Sequence, residues 1–430
     1  MDSHLVVTLL LDLALIVVLA RVFGAAARRL KQPAVIGEVF AGILVGPTLF
    51  DGWIADNLFP AEARPFLSAL AQVGVAVFMF VVGLEVDRTL LRNRGRIAAS
   101  VSLTSIALPF SLGLLLALYL VDRHQSPDDL GFVLFMGAAM SITAFPVLAR
   151  ILTDRDLHRT ALGGLALACA TIDDVLAWSL LAVVVTVIGT DTEQWRILLV
   201  LPYVAAMVTV VPPLLRRLMA RGKPGTGEEH ARARVLAVAL AGLLASAAAT
   251  EWMGLHFIFG AFLFGAVIPR DSFEWAHRAV VEGLGQISTV LLLPVFFVVA
   301  GLKVDLSGLD AGRLGELALI LLVAIGGKFW GAYLAARAHG LGQRQSAALG
   351  ALMNTRGLTE LIILSVGLQL GVLDQSLYSL MVVMAVVTTA MAGPLLQAIY
   401  PDRLVQRELD VRTRPGRRER REARTERAAR

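Results

Sequence analysis

Apolar runs of about twenty residues, separated by short charged or turn-rich breaks, recur along nearly all of this chain, and a run of that length is what one helix needs to cross a bilayer. About thirteen such runs can be drawn, with centres near Ala14, Gly42, Val77, Phe110, Ala139, Asp174, Ala205, Ala241, Leu263, Leu293, Ala324, Leu361 and Val386. The chain has 430 residues, 57% of them hydrophobic and 17% charged, with a mean hydropathy of +0.72. Soluble domains run at about 45–50% apolar and about 25% charged, so this much apolar surface exceeds what ordinary cores enclose. The fold class that follows is an all-α polytopic membrane protein. Strands of a membrane barrel alternate in polarity instead of running apolar throughout. The single cysteine, Cys169, leaves neither a disulfide framework nor a multi-cysteine metal site.

Loop charges supply an orientation. Alternate loops are basic: Arg28, Arg29 and Lys31; Arg88 to Arg96; Arg150, Arg155 and Arg159; Arg216 to Arg234; Arg270 and Arg278; Arg337 and Arg344. The intervening loops, such as Asp51 to Glu62, Asp122 to Asp129, Asp191 to Glu193, Asp305 to Glu316, and Asp374, are acidic or poor in basic residues. Basic loops stay in the cytoplasm, so the N-terminus is expected outside and the C-terminus inside, which demands an odd number of spans. Residues 401–430 carry eleven arginines. Next to a last span they fit a cytoplasmic tail touching anionic lipid, and no nucleic-acid partner is expected. The first run, Leu5 to Phe23, lacks the basic start and small-residue cleavage site of a signal peptide.

Charges inside spans are costly, roughly 2.5–3.5 kcal/mol each on insertion scales, and mark functional sites. The sixth span holds adjacent carboxylates, Asp173 and Asp174, at its middle. Neighbours on a helix point about 100° apart, so one can line a cavity while the other turns to an adjacent helix. The eleventh span holds Lys328 at mid-depth, between Gly326-Gly327 and Gly331. A buried ammonium needs a carboxylate, and the sixth span has one to spare. Asp12, in the first span, has no basic residue near it in sequence and reads as a helix–helix contact.

Two spans look broken. Pro146 follows Ser141 and Thr143 in the fifth, and the twelfth carries Asn354-Thr355-Arg356-Gly357-Leu358-Thr359-Glu360 where an apolar run should continue. Unwound backbone at membrane depth is tolerated where it lines a cavity or packs in protein. Arg356 and Glu360, four apart, are placed to pair with each other. Spans four to six and eleven to thirteen are offset by an odd number of crossings and so run in opposite directions, each with a broken helix at its centre. That is the inverted-repeat layout of secondary transporters. Asp173, Asp174 and Glu360 against Lys328 and Arg356 leave one net negative charge. Oxygen ligands with that charge suit a proton or a hard monovalent cation.

These residues resemble the monovalent cation/proton antiporters of the cation:proton antiporter-2 group. The likeness runs through about residue 400 and rests on Gln32 to Glu38 with Gly42 to Pro47, Phe80 to Asp87, Thr143 to Arg150, Ile172-Asp173-Asp174, Leu293 to Phe297 with Gly301, Gly327-Lys328, and Asn354 to Glu360. It implies the sodium/proton antiporter fold, with two crossed discontinuous helices. It further implies an exchanger domain over 1–400, divided into a mobile core (97–190 and 314–400) and a dimerisation scaffold (1–96 and 191–313), before the tail 401–430. By motif position Asp174 corresponds to the carboxylate that binds the metal cation or the proton, Asp173 to the partner of Lys328 when no cation is bound, and Thr143 to a residue shaping the site. Ser141, Asn354, Arg356 and Glu360 are candidates for core support. A homodimer in the plasma membrane is implied, using Na+ or K+ and H+ as transported ions and no cofactor.

Plant exchangers of the group share the Met353-to-Leu361 stretch but often carry Asn at the first aspartate. Two aspartates with the lysine suggest electrogenic exchange. Potassium-efflux members add a nucleotide-binding domain after the last span. No Gly-x-Gly-x-x-Gly is present here, and Gly225-Thr226-Gly227 lacks the third glycine, which favours a stand-alone exchanger over a potassium efflux pathway. An organic-solute transporter on the same scaffold is the other alternative, since fold does not fix substrate. An intramembrane aspartyl protease needs two facing aspartates sharing a proton, which adjacent positions on one helix cannot provide.

Overall fold

The protein, seen in a computed structural model, is described over residues 3–30, 32–49, 52–85, 90–124, 126–155, 157, 160–188, 196, 199–220, 228–268, 274–401 and 403–405. Lys31, Asp51, Asp87, Arg88, Arg159, Asp191 to Glu193, Arg221, Gly225 to Gly227, Arg270 and nearly all of the arginine-rich tail lie outside the described residues. The described part is helical. In chain order the helices are α1 (Ser3–Arg29), α2 (Ala34–Val45), α3 (Trp53–Leu58), α4 (Arg64–Glu85), α5 (Leu90–Leu120), α6 (Asp129–Ser141) and α7 (Phe145–Asp154). There follow α8 (Ala161–Ile188), α9 (Val200–Thr209), α10 (Val211–Ala220), α11 (Glu228–Trp252) and α12 (Phe257–Val267). The last are α13 (Glu274–Ile287), joined through a π-helical turn (Ser288–Leu292) to α14 (Leu293–Leu302), then α15 (Ala311–Ala338), α16 (Gln343–Met353), α17 (Leu358–Gln369) and α18 (Gln375–Ile399).

Among the described residues eight helices are long and apolar enough to cross a membrane alone, α9 and α10 together form a ninth candidate bent by 41°, and four shorter apolar helices, α2, α6, α12 and most of α17, accompany them. Of the shorter ones, α6 continues into α7 and α17 follows α16, so each of these crossings is made by two half-helices. The end of the bundle where α1 starts is here called the amino-terminal face, and the end where α18 finishes the carboxyl-terminal face. The bend at Val210 stands just before Pro212 and Pro213, whose rings obstruct the preceding turn. On the amino-terminal face three spans start at an aspartate that accepts a hydrogen bond from its own helix: Asp128 from Leu130 N, Asp310 from Arg313 N and Asp374 from Leu377 N. Such caps satisfy orphan amides and favour the positive helix end.

Packing falls into two groups. α5, α6, α7, α8 and α15 to α18 pack on one another, while α1, α2, α4, α11, α12, α13 and α14 form the other bundle. Within the first, α5 and α15 make the most extensive contact. It depends on Gly327: a side-chain carbon there would stand 2.8 Å from Pro109 Cα. The glycines flanking Lys328 thus bring its backbone against a neighbour, through Gly327 and Gly331, while Gly326 faces open space. Asp12 lies on the buried stripe of α1 with Ile16, Ala20 and Gly24, a helix–helix contact.

Candidate functional site

Both sequence breaks are observed. α6 ends at Ser141 and α7 begins at Phe145, while α16 ends at Met353 and α17 begins at Leu358. The two unwound stretches cross: Ala144 N donates to Thr355 O (2.9 Å), and Thr143 Oγ1 donates to Met353 O (3.1 Å). Gly357 permits the close crossing, because a side-chain carbon there would come within 2.7 Å of Val147 Cγ2 on α7. A crossing of this kind gathers four helix ends at one depth, and helix ends are where backbone groups lack partners.

α8 runs unbroken beside the crossing, with Asp173 and Asp174 at its midpoint and both buried. The two side chains diverge. Asp173 Oδ2 accepts from Lys328 Nζ (3.0 Å), from Thr143 Oγ1 (2.8 Å) and from Ser105 Oγ (3.1 Å). The ammonium and its carboxylate are both fully excluded from solvent. Asp174 instead faces the Phe145 backbone amide at the start of α7. That amide opens a half-helix, whose positive dipole end is an anion site. Among the described residues, Asp174 Oδ1 has no hydrogen-bond partner.

A second buried pair belongs to the other break. Arg356 Nη1 donates to Glu360 Oε2 (2.9 Å) and to Ala139 O (2.9 Å), and Nη2 donates to Met140 O (2.6 Å). Ala139 and Met140 end α6, so the guanidinium satisfies the orphan carbonyls of the opposite half-helix and opposes its negative end. Arg356 itself is anchored when Thr389 Oγ1 donates to its carbonyl (2.6 Å). Ser141 stands apart from the carboxylates. Its hydroxyl donates to Gly137 O (2.8 Å) and Ile106 O (3.2 Å) and ties α6 to α5. Asn354 is buried at the end of α16, and neither side-chain atom finds a partner among the described residues.

The structure therefore brings Asp173, Asp174, Thr143 and Lys328 together, and sets Arg356 and Glu360 beside them as a separate pair. Ser105 is the contact that sequence reasoning passed over. A serine in an apolar run carries little penalty because it can bond its own helix, as Ser105 does to Ser102 O (3.0 Å). No signal short of knowing that α5 abuts α8 singles it out.

Residues 14–400 match the family model described as sodium/hydrogen exchanger, transmembrane. The chain is 39% identical over 412 residues to the Na+/H+ antiporter NhaS4 of Synechocystis, covering 93% of this chain and 99% of that protein. It is 36% identical to Cation/H+ antiporter 20 of Arabidopsis thaliana over 93% of this chain but 49% of the plant protein, so it spans about half of that relative's length. It is 32% identical to K+/H+ antiporter 1 of Saccharomyces cerevisiae, over 87% of this chain and 44% of the yeast protein. Among solved structures, the sodium/proton antiporter MjNhaP1 of Methanocaldococcus jannaschii shares the fold, with a TM-score of 0.70 over 94% of this chain and 99% of that one at 14% identity. Crossed half-helices beside a buried carboxylate pair, and a family match over nearly the whole chain, lead to one conclusion: the chain belongs to the sodium/hydrogen exchanger family.

Proposed function

We propose that this protein exchanges Na+ or K+ for protons across the plasma membrane by alternating access, with cation and proton competing for Asp174. One observation carries the assignment: of two adjacent buried carboxylates, Asp173 is saturated by an ammonium and two hydroxyls, while Asp174 keeps an oxygen without a partner at the crossing of the half-helices. A carboxylate oxygen with spare lone pairs, near polar groups of two helix breaks, is a hard-cation ligand. Protonation of Asp174 removes the charge that holds the cation. Asp173 and Lys328 then hold each other, and cation entry loosens that pair. Thr143 positions Asp173 from the first break, and Asn354 offers an amide oxygen from the second. Arg356 and Glu360 support the crossing and take no cation.

The group formed by α5 to α8 and α15 to α18 is the mobile core, within 97–190 and 314–400, and the remainder, 1–96 and 191–313, is the scaffold through which two copies dimerise. The amino-terminal face lies outside and the carboxyl-terminal face in the cytoplasm, as the basic loops favour. The names of the Synechocystis and yeast relatives support both Na+ and K+ as candidates.

The test is exchange in proteoliposomes, scanning Na+, K+ and Li+ against a pH gradient. Asp174→Asn should abolish exchange with every cation while the protein stays monodisperse with an unchanged helical spectrum. Normal exchange by that variant would remove Asp174 from the mechanism.

A further inference from the structure

Alternating access needs the seam between core and scaffold to be closed at one end at a time, and the hydrogen bonds at its amino-terminal end show how that closure is made. α14, in the scaffold, ends at Leu302, and the carbonyls of a last helical turn lack partners within the helix. The first turns of α18, in the core, meet this end. Tyr378 Oη donates to Ala300 O (3.0 Å), Gln375 Nε2 donates to Lys303 O, and Ser379 Oγ accepts from Asp305 N (2.9 Å). Nearby, His256 at the start of α12 and Gln369 at the end of α17 line the same space from the two sides of the seam. The Tyr378 ring is fully buried. One buried phenol thus ties α18 to a scaffold carbonyl.

The spaces along the seam fit this picture. At the amino-terminal end a cavity lies between Gln72 of α4, His256, and Ala300 and Lys303 of the scaffold, and Ser365 and Gln369 of the core. A second cavity, near the amino-terminal face, shares Ser68, Val299 and Lys303 with the first and reaches Asp56 and Arg64. Toward the other end, the seam cavity is lined by Val35, Ile36 and Val39 of α2 against Gly357, Leu361, Ala385 and Val386 of the core. The amino-terminal end is therefore held by neutral hydrogen bonds, which water replaces at little cost once the seam opens. An apolar contact can part without leaving unsatisfied groups.

We propose that Tyr378, with Gln375 and Ser379, is a latch that closes the amino-terminal end of the seam, that this structure shows the latch shut, and that its strength sets the balance between the two access states. The inference rests on the core–scaffold division proposed above, and Tyr378 is a positioning residue that touches no transported ion. Opening the latch joins the two cavities into a vestibule walled by Gln72, and the same movement closes the core onto α2 at the other end.

Two single-cysteine reporters in a Cys169→Ala background test this in proteoliposomes. Gln72→Cys reads the amino-terminal cavity and Ile36→Cys the opposite one, each by its rate of modification with a membrane-impermeant maleimide applied from either side. Adding Tyr378→Phe, which removes one hydroxyl, should raise the rate at position 72 about fivefold, the factor carried by one hydrogen bond of ordinary net strength, and lower the rate at position 36. Ser379→Ala should act in the same direction, more weakly, and serves if the Phe variant does not fold. Unchanged rates at both positions, or a rise at both, would overturn the latch, since general loosening exposes both ends. Exchange activity is measured in parallel. Reciprocal labelling in a protein that transports no cation would leave the latch standing and defeat the transport assignment alone.

Discussion

Two buried ion pairs flank the crossing of the breaks, and they are built to opposite specifications. Arg356 uses both terminal nitrogens of its fork, with a carboxylate and two half-helix carbonyls around them and Thr389 fastening its backbone. Lys328 has a single described partner, and that partner, Asp173, is held by two hydroxyls as well. Both pairs are solvent-excluded, so burial does not separate them. Redundancy does. Removing the arginine strands several groups at once, whereas the ammonium can leave a carboxylate that still has donors. The proposed cycle opens only the Lys328–Asp173 pair, and that pair is the one with fewer contacts to break.

This contrast orders the expected effects. Arg356→Ala leaves Glu360 and two helix-end carbonyls buried without their donor, and breaking a buried pair costs about 3–5 kcal/mol. The variant should lose most of its thermal stability in detergent, and an unchanged melting temperature would break the comparison. Lys328→Met removes one charged hydrogen bond from a carboxylate that keeps two others, a loss of about 1.5–3 kcal/mol. It should melt measurably below wild type yet shift the pH profile of exchange, which a purely structural lysine would not do. Ser105→Ala should cost about 1 kcal/mol and also move the pH profile, with Ser105→Thr restoring it.

The smallest effect lies outside the membrane core. His124, in the turn after α5, sits with Nδ1 2.8 Å from Asp374 Oδ2 and Nε2 3.3 Å from Glu316 Oε2. Burial pulls the ring's pKa down, but Asp374 and then Glu316 outweigh it and leave it above the ordinary 6.5. A raised pKa means that the stabilisation is fully present below 6.5 and fades as pH rises through the folded value. His124→Gln should therefore cost about 1 kcal/mol near pH 6 and less at pH 9. An equal loss at both pH values would refute the protonated link.

How much of this was legible in the sequence follows from what hydropathy can expose. Asp173, Asp174 and Lys328 stand out because charge is penalised in an apolar run, and the breaks stand out because Pro146 and the Asn354–Glu360 stretch interrupt one. Pairing of Arg356 with Glu360 was readable from their spacing. Its grip on Ala139 and Met140 was not, because it exists only where two breaks from opposite ends of the fold cross. Ser105 was invisible for the same reason, and the cluster of His124, Glu316 and Asp374 joins a turn, the second turn of α15 and the cap of α18, far apart in the chain. The bend at Val210 did have a signal, in Pro212-Pro213.

The close seating of α15 on α5 at Gly327 has a kinetic consequence. With a backbone carbon of α5 close against the place where a side chain would stand, the backbone that carries Lys328 cannot shift along α5 as an independent part. A bound ion must travel with the helices that hold it. Throughput is then limited to one ion load per collective movement, and such movements take microseconds to milliseconds. A bilayer containing this protein should carry small, smooth fluxes with no unitary current steps.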